Sequence, residues 1–247
     1  MTTLAGWLGI TPYDLRLRAA AGLPAPLLST PDAAAAADLL ARLRARGHGA
    51  VGCDFGASGA AAGSVRELNF GPSALTGQDE QGRPFEVPYV EISGLLRALS
   101  VVAAENTVTT KEKKLDVGMA VMTGGLKMSK TVERTTRSAS EQREQILYLF
   151  KHARPLPVIF RELSVRYQGL GAERKPTTIQ NFLVLIQLLR QRAPHALYDE
   201  RFLTQKRKIG LAAVGGIASE RTVTSSNASE NELAARLLML AHEQGQL

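Results

Sequence analysis

The stretch that most constrains this chain is Leu68–Ser93, LNFGPSALTGQDEQGRPFEVPYVEIS. Two short apolar runs flank a polar, glycine-containing turn, and a proline–aromatic pair then leads into a new apolar segment. Turn residues between short runs of this kind specify a hairpin feeding a further element.

The segments that follow extend that reading. Leu95–Val108 is apolar and β-branched towards its end, and predicts a strand; Lys111-Glu112-Lys113-Lys114 predicts a charged turn. Val117–Leu126 is apolar with three glycines. Met128–Arg137 and Glu144–Lys151 read as two strands around Ser138-Ala139-Ser140. Within the second, Ile146-Leu147-Tyr148-Leu149-Phe150 has no polar member, so both of its faces should be buried. Val158–Leu163 is a further strand candidate. Thr177 or Thr178 then starts the clearest helix, with Ile179, Phe182, Leu183, Ile186 and Leu189 at helical spacing and Pro194 beyond its end. The face of Ile179, Phe182, Ile186 and Leu189 is expected to pack on the sheet.

The first 55 residues have another rhythm. Thr11 can cap a helix whose first position is Pro12 and whose first turn holds Asp14. Leu23–Ser29 predicts a short strand. A second helix starts at Thr30 or Asp32, with Ala36, Leu39, Leu40 and Leu43 on one face, and Ala50–Phe55 predicts a second strand. Gly56–Ser64, GASGAAAGS, has little to bury and reads as a linker. Past Leu203 the chain is basic at Lys206-Arg207-Lys208, then rich in Gly and Ala. A polar stretch, Thr222–Ser229, precedes a short helical pattern over Glu232–His242. No internal repeat is visible.

Composition bounds the partners. The 247 residues carry a formal net charge of +7, and the sequence pI is about 9.7. Such a surface favours nucleic acid, anionic lipid or acidic proteins, but charge alone names none of them. Cys53 is the single cysteine, which excludes an internal disulfide and a cysteine-based zinc site and points to a reducing compartment. The amino terminus lacks the basic and apolar regions of a secretory signal, and no apolar run approaches the roughly 20 residues of a membrane span. The localisation implied is cytoplasmic.

Catalytic signatures are incomplete wherever they begin. Asp54-Phe55-Gly56 matches a kinase metal-binding tripeptide but lacks that family's other motifs. Gly118–Gly125 lacks the lysine and hydroxyl of a phosphate loop. Ser58 misses a nucleophile elbow by one residue. Histidines 48, 152, 195 and 242 show no helical metal-pair spacing, and Cys53 reads as a small buried side chain. The expectation is a non-enzyme with no metal and no cofactor. Two basic clusters are candidate anionic-surface residues: Lys111, Lys113, Lys114, Lys127, Lys130, Arg134 and Arg137, and Lys206, Arg207 and Lys208. They contain no aromatic residue for base stacking, which ranks nucleic acid behind anionic lipid.

Two resemblances follow from the quoted residues. Leu68–Ser93, with its Val-Pro-Tyr corner, is similar to the opening of bacterial pleckstrin-homology-like domains. The strands and single helix over Val65–Ala193 follow the order of that fold, with an insertion around Thr109–Lys130. LGITPYDLRLRAAAGLPAPLL and ARLRARGHGAV resemble compact ferredoxin-like folds, including the C-terminal domain of the bacterial ribosomal stalk protein. Together they imply an α+β protein resembling uncharacterised bacterial proteins that combine these parts. Residues 1–55 would be a ferredoxin-like module, 56–64 a linker, and 65–203 a pleckstrin-homology-like antiparallel β-barrel or sandwich with a closing helix. Residues 204–247 would be a tail with a short helix. The function implied is binding or scaffolding through protein contacts, by strand addition at sheet edges or through the C-terminal apolar segment. The alternatives are peripheral binding to anionic membrane and association with nucleic acid.

Overall fold

The computed structural model describes residues 2–20, 22, 24–54, 63–115, 129–152, 154–204, 210–214 and 220–247. It is a mixed α+β structure with two sheets, and the described strands do not close into a barrel. The chain divides into two compact units. Met1–Ser100, Glu144–Lys208 and Ala228–Leu247 form the first; Val101–Arg143 and Ile209–Asn227 form the second. This division crosses the boundaries expected from composition, because the longest strands contribute to both units.

The first unit opens with helices α1 (Thr2–Leu8), α2 (Pro12–Ala19) and α3 (Ala33–Arg44). Thr11 caps α2 as its sequence implies, its hydroxyl accepting from the Asp14 amide at 3.1 Å. Asp32 caps α3, accepting from the amides of Ala34 and Ala35. Trp7 of α1 lies under the guanidinium groups of Arg42 and Arg46, at 5.6 and 4.5 Å from the ring centre. No strand forms among the described residues of 24–54, so the alternation of helix and strand expected there is absent. Leu23, Phe55 and most of the expected linker lie outside the described residues.

The Leu68–Ser93 stretch builds a three-stranded antiparallel sheet of β1 (Val65–Phe70), β2 (Ala74–Asp79) and β3 (Pro84–Pro88). Asp79 organises the second turn. Its carboxylate accepts from the amides of Gln81 and Arg83, each at 2.9 Å, and from the Arg83 guanidinium at 2.6 Å, while Gly82 takes the left-handed backbone. Desolvation pushes the Asp79 carboxyl up, but these bonds from Arg83 and Gln81 outweigh it and hold the group below its ordinary value.

The larger sheet has the order β6-β5-β4-β9-β8, with β7 pairing β4. Strand β4 runs Ile92–Leu115, β5 Ser129–Lys151, β6 Arg154–Arg161, β7 Leu197–Phe202, β8 Gly210–Val214 and β9 Glu220–Ser226. Three expectations are corrected here. Lys111–Lys114 is strand rather than turn, Ser138-Ala139-Ser140 interrupts nothing, and β7 pairs β4 in parallel. In the second unit β8 and β9 form a hairpin, and β9 pairs β4 from Val102↔Ser226 to Val108↔Glu220.

In the first unit the sheet separates two cores. Helix α4 (Thr178–Arg192) closes one and α5 (Ala228–Glu243) closes the other. Leu147 and Leu149 enter the first, with Leu95, Phe160, Phe182, Leu185, Ile186 and Leu189. Ile146, Tyr148 and Phe150 enter the second, with Leu96, Ala98, Phe202, Ala234, Leu238 and Met239. Alternation along β5 thus buries both faces of the run, as its uninterrupted apolar character requires. Gly94 sits directly under α5: a Cβ there would stand 2.3 Å from the Met239 sulfur. The segment after residue 203 is therefore more than a tail with a short helix, since α5 is a core element.

Candidate functional site

Two concave surfaces lie within the first unit. One lies at the C-terminal end of α4 and encloses about 390 Å³ between Gln187, Arg190, Gln191, Ala193, Pro194, Ala196 and Tyr198. The helix is positioned firmly. The Thr177 hydroxyl caps it by accepting from the Gln180 amide, and buried Asn181 clamps Lys175 by accepting from its amide at 2.6 Å and donating to its carbonyl at 2.9 Å. At the far end, Arg192 donates to the Gly71 carbonyl and lies over the Phe70 and Tyr89 rings.

With Phe182, Leu185, Ile186 and Leu189 turned inward, the outer face of α4 reads Ile179, Leu183, Gln187 and Arg190. Ile179 and Leu183, one turn apart, are 48% and 42% exposed. The inward placement expected for Ile179 is therefore corrected: Phe182, Leu185, Ile186 and Leu189 fill the core-facing positions over two turns without it, and the first turn of the helix is exposed. The Arg190 guanidinium stacks 4.1 Å from the Tyr198 ring centre. Burial pushes the Tyr198 phenol up, with Arg97 opposing and Glu200 adding to the rise. As a neutral hydroxyl it donates to Glu200 at 3.1 Å. Glu200 in turn accepts from Arg97 at 2.9 Å, and Arg97 donates to Gln145 at 2.9 Å. A polar chain thus fixes the wall of the cleft from behind.

The buried carboxylates next to this chain are held by structural partners. Glu144 pairs with Arg161, and Glu162 accepts from the Gln145 amide at 3.2 Å. Tyr167 donates to the Glu162 carbonyl at 2.7 Å; its phenol is raised by burial and by the nearby Glu162 and Glu144. The Cys53 thiol is pushed up by burial, with Arg236 opposing and Asp54 adding, which suppresses the reactive thiolate.

The second concavity brings together residues that the sequence scatters. Ser93, His152, His195, His242 and Glu243 line a cleft of about 300 Å³. Their separation along the chain leaves no motif spacing, so no sequence signal marks them. Among the described residues, no three His, Cys, Asp or Glu side chains are gathered closely enough to hold one metal ion.

Of the candidate anionic-surface residues, Lys111, Lys113 and Lys114 lie on β4 and Lys130, Arg134 and Arg137 on β5, strands that are neighbours in the sheet order. Lys127, Lys206, Arg207, Lys208 and the glycine-rich 118–125 stretch lie outside the described residues. No helix among the described residues is long and apolar enough to cross a membrane. No family model, curated protein or solved structure matches the chain.

Proposed function

We propose that this chain is a binding protein that works through protein contacts rather than by catalysis, and that the outer face of α4 with its adjoining cleft is the contact surface. The observation that carries this reading is the exposed pair Ile179 and Leu183, aligned on one helix face with the cleft where Arg190 stacks on Tyr198. The ordered Arg–Tyr pair has the composition of an interface hot spot, and the exposed aliphatic side chains beside it supply apolar area to bury. The helix is capped and clamped, so little order has to be acquired on binding.

This location replaces the two docking modes expected from sequence. The C-terminal apolar segment is committed to the core through Ala234, Leu238 and Met239. Strand addition is disfavoured at β3, which begins and ends with proline. On the β1 side, isolated bridges join Ser64 to Ile159 and Glu67 to Arg166. A photo-crosslinking residue at position 183 tests the proposal in the native cell. A discrete cross-linked partner that disappears in the Ile179→Asp variant supports it. Cross-linking that is absent, or unchanged by Ile179→Asp, overturns it.

A further inference from the structure

We infer that the partner of the α4 face is an acidic peptide segment, one whose carboxylate is taken by Arg190 while a neighbouring large apolar side chain enters the adjoining cleft. This rests on the reading of that face as the contact surface and adds the chemistry of what it contacts.

The charge along this element has one sign. From Arg174 to Arg192 the chain holds four cationic residues, Arg174, Lys175, Arg190 and Arg192, and no acidic one; Glu173 precedes the run. All four are exposed, and none has an ion-pair partner among the described residues. By contrast, Arg42, Arg83, Arg161 and Arg166 each pair with a carboxylate of this chain. On the adjoining β7 the acids are already matched: Asp199 pairs with Arg201, and Glu200 with Arg97. The C-terminal end of a helix carries about half a negative charge, which Arg190 and Arg192 together exceed. The field over the face is therefore positive, and a segment of opposite sign is steered to it.

Arg190 supplies the geometry. Its guanidinium lies against the Tyr198 ring, 4.1 Å from the centre. Stacking uses the flat face of the group and leaves the N–H donors in its plane to grip a carboxylate with two parallel bonds. Among the described residues none accepts a hydrogen bond from the Arg190 side chain. The same arginine lines the cleft of about 390 Å³, with Ala193, Pro194, Ala196 and Tyr198 and the neutral Gln187 and Gln191. Those walls suit a large apolar side chain next to the gripped carboxylate. Ile179 and Leu183 extend the apolar contact along the helix. Nucleic acid would need open ring faces for its bases, and Arg190 occupies the Tyr198 face. A bilayer would engage the cations but has no side chain to place in the cleft.

The cross-linker at position 183, on the full chain in its native cell, provides the test. Mass spectrometry of the cross-linked product should identify a protein segment of net negative charge, with a large apolar residue beside an Asp or Glu. A synthetic copy of that segment should bind the purified chain with an affinity that falls as salt is raised. Arg190→Glu should weaken it by about tenfold or more, the scale of one charge-assisted contact. Exchanging the acid of the peptide for lysine should restore part of the binding to Arg190→Glu. The double change Arg174→Glu and Lys175→Glu, ahead of the helix, should weaken it several-fold and serves as the second variant. Thermal melts matching wild type verify that these exposed changes leave the fold intact. A captured segment that is neutral or basic, or whose binding ignores both salt and Arg190→Glu, overturns this inference and leaves the contact surface standing. Cross-linking to RNA or lipid instead of protein, or none at all, overturns both.

Discussion

Helices α4 and α5 of the first unit seal opposite faces of the same sheet, yet they are held in different ways. Helix α4 is secured largely by its own neighbourhood: Thr177 caps it, and Asn181 clamps Lys175 six residues away. Helix α5 is secured by distant partners. The buried Asn231 amide donates to the Leu99 carbonyl at 2.9 Å, Tyr148 donates to the Ala228 carbonyl, and Gly94 admits Met239 against β4. Local anchors cost little chain entropy and can form early. Long-range anchors bring no stability until the sheet exists. The comparison teaches that equal burial does not mean equal autonomy.

Removing α5 should break the comparison most severely. A chain ending at Asn227 leaves Leu96, Ile146, Tyr148, Phe150 and Phe202 uncovered, and should be insoluble or bind a hydrophobic dye strongly. A soluble, cooperatively melting truncation would show that α5 is dispensable. The largest point effects should come from the matched pair Phe182→Ala and Leu238→Ala. Denaturant unfolding should register losses of about 3–5 kcal/mol for the first and about 2–5 kcal/mol for the second. If only one is destabilised, the two cores do not unfold together.

The next pair sharpens the local–distant contrast. Asn181→Ala and Asn231→Ala should each cost about 1–3 kcal/mol, because each deletes hydrogen bonds made by a buried side chain. Folding kinetics separates them: Asn181→Ala should slow folding, whereas Asn231→Ala should chiefly speed unfolding. The reverse assignment would mean that α5 docks first.

Asp79 tests the three-stranded sheet at low pH. Its folded carboxyl lies below its ordinary value, so its contribution is present above the unfolded-state value near 3.9 and is lost as pH falls through the lower folded value. Wild type should therefore lose stability below about pH 4 relative to its Asp79→Asn variant. Parallel acid profiles for the two would remove Asp79 from that role. The smallest change is expected at the proposed contact surface. Ile179→Asp and Leu183→Asp should shift stability by less than about 0.5 kcal/mol while disrupting partner binding. A large loss of stability would return this face to the core.

Much of the first core was legible in the residues. Hairpin punctuation at Leu68–Ser93, the unbroken Ile146–Phe150 run and the Thr177 helix start are signals carried within a few residues, and the structure reproduces each of them. The expected strands at 23–29 and 50–55 have apolar content but pair with no strand among the described residues, which are irregular there. The α5 pattern looked short because its buried face is built partly of alanine, whose role depends on what it touches.

What the sequence determined by itself was local: caps, turns, strand alternation and the face of α4 that must be buried. These depend on backbone preferences and periodicity over a turn or two. The tertiary structure decided which helix covers which sheet face, that β7 runs parallel to β4, and that three histidines far apart in the chain line one cleft with Ser93. Those outcomes depend on contacts between segments whose sequence separation carries no motif. Such contacts exist only after the sheet has brought the segments together.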